Sequence, residues 1–141
     1  MSVNIKRAYE KPAPADGVRV LVDRLWPRGV GKQAAALTAW LRGLAPSNEL
    51  RQWFHVHPAL WSRFRSGYMK ELGLPEAVSD LNKLYALVAD NQTVTLVYAS
   101  RDERHNNAVV LRDLINGVRK PPSSSGPAKA AAAPKRARAR R

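Results

Sequence analysis

The sequence predicts one small α/β domain, a mostly parallel sheet with helices packed on it, followed by a disordered basic tail. Two β-branched runs, VRVLV at 18–22 and TVTLVY at 93–98, are typical of buried strands. Segments with helical spacing of apolar residues lie between them, and this alternation favours parallel pairing. The chain has 141 residues, which suffices for one core, and we expect the domain at 1–118 and the tail at 119–141.

A third, weaker strand is predicted at 3–7, where apolar and polar residues alternate. The dipeptide Asp16-Gly17 is a turn signal directly before the strand at 18–22. These patterns predict which segments form strands and leave the order of the strands in the sheet open.

Helices are predicted from apolar spacing, from proline at first turns and from capping residues. The predicted ranges are 33–41, 47–54 with Ser47 as its cap, 58–72 with Pro58 in its first turn, 75–89, and a last helix that ends at Gly117. Ser100 and Glu103 match the S-x-x-E capping box, which predicts that the last helix begins there. Trp61, Phe64 and Tyr68 share one helical face and indicate packing between helices rather than a base-stacking surface.

Positive charge is concentrated in the tail. The formal net charge is +13, but 16 basic and 11 acidic residues leave only +5 for residues 1–118. Beyond them the chain is almost entirely Pro, Ser, Ala, Gly, Lys and Arg, which is typical of disorder. Such a tail is either a solvated extension or a contact to DNA or RNA phosphates without sequence preference. The candidate nucleic-acid-binding residues are Lys135, Arg136, Arg138, Arg140 and Arg141.

Several classes of site are excluded or disfavoured by composition. The chain has no cysteine, which excludes disulfides, thiolate metal sites and cysteine nucleophiles. His55 and His57 have no third ligand at suitable spacing, so no metal site is predicted. Gly29-Val-Gly-Lys32 lacks the spacing of a phosphate-binding loop, and neither G-x-G-x-x-G nor G-x-S-x-G occurs, so no cofactor is predicted. The N-terminus has no signal-peptide core and no apolar run is long enough to cross a bilayer, so we expect a cytoplasmic protein without a membrane partner.

A first candidate site is the loop at 23–29, directly after the strand at 18–22. Ligands of parallel α/β sheets bind outside the carboxyl ends of the strands. Arg24 and Arg28 are suited to carboxylate or phosphate, and Trp26 between them offers a flat face for stacking. The alternative is structural, with Asp23 paired to an arginine and Trp26 in the core.

A second candidate site is the segment at 100–106, directly after the strand at 93–98. Arg101 adds positive charge at a predicted helix start, where backbone N–H groups favour an anion. Asp102 and His105 are candidate catalytic residues, because a carboxylate–imidazole pair can transfer protons near neutral pH. In the structural alternative, Ser100 and Asp102 cap the helix and Asn106 satisfies buried backbone.

Several segments together resemble one protein family: KRAYE at 6–10, DGVRVLVDRLWPRG at 16–29, LAPSNELRQWF at 44–54, HPALWSRF at 57–64 and TLVYASRDERHNNAVVL at 95–111. Over residues 3–116 the chain is similar to the bacterial DUF488 family, in particular its YeaO-like branch. The resemblance implies a compact α/β domain in a bacterial cytoplasm and no established activity. The family's characteristic polar positions correspond to Asp23, Arg24, Trp26, Pro27, Arg28, Gly29, Asp102, His105 and Asn106.

Two functions of different classes follow as hypotheses. In the first, the two loops form a pocket for a small anionic or nucleotide-like ligand, with Asp23, Arg24, Trp26, Arg28, Arg101 and Asn106 as ligand-binding residues. Whether Asp102 and His105 also catalyse a reaction is left open. In the second, the protein associates with nucleic acid through its tail. A third, purely structural interpretation has Asp23 and Asp102 pair with arginines and hold the two loops together.

Overall fold

Four parallel strands form the sheet, in the order β1-β4-β2-β3. The structure is a computed structural model that describes residues 2–117. The strands are β1 (Ser2–Arg7), β2 (Val18–Leu21), β3 (Ala39–Trp40) and β4 (Thr93–Tyr98), so the predicted α/β fold with a parallel sheet is confirmed. The predicted tail, including Lys135, Arg136, Arg138, Arg140 and Arg141, lies outside the described residues.

Five helices connect the strands: α1 (Lys32–Ala35), α2 (Asn48–Val56), α3 (Trp61–Glu71), α4 (Pro75–Asp90) and α5 (Asn107–Asn116). Ser47 caps α2, where its hydroxyl accepts a hydrogen bond from the Leu50 N–H at 3.1 Å. Pro75 occupies the first turn of α4, as expected from its fixed φ and missing N–H. Among the described residues, none of the helices has the length and apolar character needed to cross a membrane.

Three predicted helix boundaries are wrong. The helix predicted at 33–41 ends at Ala35, because Ala36 is left-handed (φ 49°) and Ala39–Trp40 instead pairs with β2. The helix predicted from Pro58 begins at Trp61, after a turn in which the Leu60 N–H donates to the His57 carbonyl. The last helix does not begin at Ser100 but at Asn107.

The two faces of the sheet carry different chemistry. Helices α2 to α5 pack on one face, against Val20, Val22, Val94, Leu96 and Tyr98. The opposite face carries the alternate residues, including Leu21 and Val97, which pack with Trp26, Leu37 and Trp40 in a smaller cluster. The period-2 alternation of β2 and β4 therefore separates a large helical core from a second, partly polar layer.

A buried ion cluster lies on the second face. The Asp16 carboxylate accepts from the Arg19 guanidinium at 2.7 Å and from the Lys6 ammonium at 3.1 Å. Asp16 and Arg19 are 8% and 3% exposed, so this cluster is shielded from water. Gly17 follows with φ 63°, and a Cβ there would lie 2.3 Å from the Thr93 carbonyl oxygen. The turn before β2 thus depends on glycine, and it delivers Asp16 to the two cations.

Burial alone would raise the pKa of Asp16, but hydrogen bonds from the Ala13 N–H, Lys6 and Arg19 outweigh it and hold the pKa below its ordinary value. A carboxyl group whose pKa is lower in the folded state stabilises the fold above its unfolded pKa of about 3.9. That stabilisation is lost as the pH falls through the folded pKa.

We expect Asp16→Asn to lower the free energy of unfolding by about 3 kcal/mol at pH 7, because it leaves two cations without their buried counter-ion. The difference from the wild type begins to narrow below the unfolded pKa of about 3.9 and disappears as the pH falls through the lower pKa of folded Asp16. Urea unfolding over this pH range measures both effects. Asp90→Asn, at an exposed position at the end of α4, is the control. Equal effects of the two substitutions at pH 7 would contradict the stabilising role of the cluster.

Candidate functional site

The strand order brings the two predicted loops side by side. Because β4 pairs with β2, the loop at 23–29 (the β2 loop) and the loop at 100–106 (the β4 loop) leave the same edge of the sheet. The Asp23 carboxylate accepts a hydrogen bond from the Ala99 N–H at 2.8 Å, and its other oxygen accepts from the Asn107 side-chain amide at 3.1 Å. We call these contacts of Asp23, Ala99 and Asn107 the Asp23 bridge.

Asn107 adds a further contact to the Asp23 bridge. Its side-chain amide also donates to the Val22 carbonyl at 3.0 Å, and the residue is 9% exposed. Burial raises the pKa of Asp23, and hydrogen bonds from Ala99 and Asn107 with the nearby charge of Arg51 only partly oppose it. The carboxylate is therefore held by directed contacts with α5 and β4, rather than by the arginine pair that the structural interpretation predicts.

Asp102 and His105 are in contact in the β4 loop. The Asp102 carboxylate lies 3.1 Å from His105 Nδ1 and also accepts from the backbone N–H groups of Arg104 and His105, at 2.9 and 3.0 Å. Burial is the largest single effect and would raise the pKa of Asp102, but these N–H groups and the imidazole together outweigh it and lower the pKa. With Nδ1 protonated, the imidazole presents Nε2 as a proton acceptor. Both side chains are exposed, and the His105 ring lies edge-on to Trp61 with centroids 5.1 Å apart.

The helix N-terminus predicted at Ser100 is formed instead by Asn106. Its side-chain oxygen accepts from the Val109 N–H at 3.0 Å, and its amide donates to the Asp102 carbonyl at 2.8 Å. The Ser100 hydroxyl accepts from the Asp102 N–H at 3.2 Å, which makes a turn and not a capping box. Asn106 is 4% exposed, so both ends of its amide are engaged within the chain.

The three arginines of the predicted ligand site, unlike these side chains, are not held by hydrogen bonds in the described part of the chain. Arg24 is half-buried, while Arg28 and Arg101 are exposed. Within residues 2–117 their guanidinium groups form no hydrogen bond and no ion pair. Arg7, at the end of β1, instead donates to the backbone carbonyls of Ser100 and Ala99, at 2.9 and 3.3 Å. The same edge thus holds one arginine that braces the β4 loop and others whose guanidinium groups have no hydrogen-bond partner among the described residues.

Trp26 is fixed within the β2 loop. Its indole N–H donates to the Val30 carbonyl at 2.6 Å, which closes the loop. Its ring meets Trp40 edge to face at 5.5 Å, and the Trp40 N–H donates to the Asp23 carbonyl at 2.7 Å. Trp40, in β3, therefore packs against the β2 loop on the second face. It is separate from the helical aromatic cluster of Trp61, Phe64 and Tyr68.

Sequence reasoning missed Asn107, Ala99 and Trp40 at this site. Asn106 and Asn107 are chemically identical neighbours, and only the start of α5 decides which one caps and which one contacts Asp23. The Ala99 backbone N–H and the indole of Trp40 carry no sequence signal of their own. Among the described residues, no group of three or more His, Cys, Asp or Glu side chains is arranged to hold a metal ion.

We expect Asn107→Ala to lower the free energy of unfolding by about 2 kcal/mol, because it leaves a half-buried carboxylate oxygen of Asp23 and the buried Val22 carbonyl without this donor. Urea unfolding at neutral pH measures the loss. Asn116→Ala removes the same amide from an exposed position on the same helix and serves as the matched control. If both variants unfold at the same urea concentration, the Asp23 bridge does not stabilise the protein.

Comparisons with known proteins identify the family of the chain and several relatives. A family model described as "Inactive DUF488-N3 subclade" matches residues 2–131. The uncharacterized protein Rv3073c of Mycobacterium tuberculosis is 41% identical over 115 residues, which cover 82% of this chain and 94% of the relative. The uncharacterized protein YeaO of Escherichia coli is 38% identical over 118 residues, 84% of this chain and 100% of YeaO. No solved structure matches the chain. The chain therefore belongs to the DUF488 family.

Proposed function

We propose that this protein binds a small anionic, nucleotide-like ligand over the carboxyl ends of β2 and β4 and leaves it chemically unchanged. The observation that carries the proposal is the β2 loop itself. The Asp23 bridge anchors its first residue, while Arg24 and Arg28 present guanidinium groups with no hydrogen-bond partner within residues 2–117. A planar guanidinium on a braced loop is suited to bidentate contact with a phosphate.

The charge around the loop favours an anion. The β4 loop is neutral in sum, because Asp102 and Glu103 offset Arg101 and Arg104. The β2 loop carries a surplus positive charge, and Arg51 lies near enough to lower the pKa of Asp23. The net positive charge of the two loops therefore comes from Arg24 and Arg28.

Two observations favour binding without turnover. Asp102 already accepts two backbone N–H groups and contacts His105, so its carboxylate is used in shaping the β4 loop. The matching family model describes its own subclade as inactive. We therefore assign Asp102 and His105 to loop structure and ligand contact rather than to acid–base catalysis.

We expect the double variant Arg24→Ala/Arg28→Ala to bind ADP and pyrophosphate at least about 10-fold more weakly per arginine removed, because each loses charge-assisted hydrogen bonds. Isothermal titration calorimetry measures both affinities, and chromatography after incubation is expected to return ADP intact. Lys70→Ala/Lys83→Ala removes the same charge from exposed positions on α3 and α4 as the control. Unchanged affinity in the arginine variant would refute the proposed site, and consumption of ADP would refute binding without turnover.

A second candidate function, contact with nucleic acid, rests on the composition of the tail. From Arg119 onward the chain has eight basic and no acidic residues. Such a segment neutralises phosphates without reading bases, so its affinity falls steeply with salt. We infer that the tail associates with DNA or RNA independently of the ligand site.

We expect the full chain with Lys135, Arg136, Arg138, Arg140 and Arg141 replaced by serine to lose most of its affinity for duplex DNA. The slope of log K against log salt becomes shallower by as much as about 4.5, if all five residues release counter-ions. Fluorescence anisotropy with a labelled duplex over a salt series measures this. Lys70→Ser/Lys83→Ser is the control, and DNA affinity that is unchanged in the tail variant contradicts the inference.

A further inference from the structure

A depression of about 260 Å³ lies on the second face of the sheet, beside the edge strand β3. It is lined by Trp26, Lys32, Leu37, Thr38, Ala39 and Trp40. Pockets that enclose a whole drug-sized ligand are roughly 300–1,000 Å³. The depression therefore has room for one planar group of a ligand, while the remainder lies outside it.

The aromatic wall of the depression is held in place on both sides. The Trp26 N–H donates to the Val30 carbonyl and the Trp40 N–H to the Asp23 carbonyl, so both indoles have their polar atom engaged by the chain. The Arg42 guanidinium lies over the Trp40 ring at 3.9 Å from its centroid. Both tryptophans are half-buried. Arg42 thus covers one face of Trp40, and the parts of both indoles that line the depression are left for contact with a flat, apolar group.

Positive charge surrounds this aromatic wall. Lys32 is exposed and contributes to the lining. In the same loop, Arg24 lies two residues before Trp26 and Arg28 lies two residues after it. Because these arginines share the short β2 loop with Trp26, they are the candidates to contact the anionic group of a ligand whose planar ring lies in the depression.

We propose that the ligand is a nucleotide whose base packs against Trp26 and Trp40 while its phosphates contact Arg24 and Arg28. This inference rests on the proposed function, because it needs the same two arginines as the anion site. It adds a second requirement, a nucleobase, that a simple phosphate-binding site does not have. Stacking of a base on aromatic side chains is tolerant of base identity, so we expect little discrimination between the bases.

The test compares ADP with pyrophosphate, which keeps the two phosphates and lacks the nucleoside. In the full chain we expect ADP to bind about 5- to 150-fold more tightly, which is the contribution of one stacked base. Tryptophan fluorescence locates the base, because the chain has four tryptophans in two separate places. We expect ADP to quench the emission of Trp53→Phe/Trp61→Phe, which retains Trp26 and Trp40, and to change that of Trp26→Phe/Trp40→Phe little.

The outcomes separate this inference from the proposed function. If ADP and pyrophosphate bind equally and Arg24→Ala/Arg28→Ala weakens both, the anion site stands and the base site is refuted. If quenching disappears in Trp53→Phe/Trp61→Phe, the base lies against Trp61 and the inference is again wrong. If neither compound binds in a way that depends on the two arginines, the proposed function fails as well. If Trp26→Phe/Trp40→Phe does not fold, two measurements still decide the question. They are the wild-type affinities for ADP and pyrophosphate, and the quenching of Trp53→Phe/Trp61→Phe by ADP.

Discussion

The arrangement of the candidate site depends on one half-buried carboxylate. Asp23 leaves the end of β2 and accepts hydrogen bonds from the Ala99 N–H of the neighbouring strand's loop and from Asn107 at the start of α5. Removing a carboxylate from water without hydrogen-bond donors costs free energy, so these contacts determine where both loops can lie. The Asp23 carbonyl also accepts from the Trp40 indole, which extends the same connection to β3. Three strands and one helix therefore meet at a single residue.

The alternation of side chains along the strands explains why the site has two kinds of surface. Val20 and Val22 point into the helical core, while Leu21 between them faces the second layer with Trp26 and Trp40. On that layer Arg19 and Asp16 form a buried ion pair, which holds the turn before β2 and, through the Arg19 contact to the Ala35 carbonyl, the end of α1. The depression lined by Trp26 and Trp40 is thus supported on one side by the ion pair of Asp16 and Arg19 and on the other by the β2 loop.

Much of the fold could be predicted, because β2, β4 and α4 have clear local sequence signals. The strands are β-branched runs, and the helix has a proline in its first turn. The helix predicted at 33–41 failed because pairing of Ala39–Trp40 with β2 outweighs helical propensity there, a tertiary effect. Both site loops were located from the rule that ligands lie at carboxyl ends. Their contact through Asp23 depends on the strand order, which local patterns do not encode. The choice between Asn106 and Asn107 likewise depends on where α5 begins.

Asp16, which is buried, and Asp23, which is half-buried, have pKa values that shift in opposite directions. The pKa of Asp16 is lowered, so its stabilisation is present above the unfolded pKa of about 3.9 and is lost in acid. Burial raises the pKa of Asp23, so its own contribution is greatest below the unfolded pKa and is lost as the pH rises through the folded value. Because the pKa of Asp23 is raised in the folded protein, ionisation of this carboxyl lowers the stability of the fold. Asp23 directly precedes Arg24 in the chain, but its carboxylate oxygens accept hydrogen bonds from Ala99 and Asn107 rather than from that guanidinium. The contacts of Asp23 therefore fix the start of the β2 loop without engaging the Arg24 guanidinium, which forms no hydrogen bond within residues 2–117.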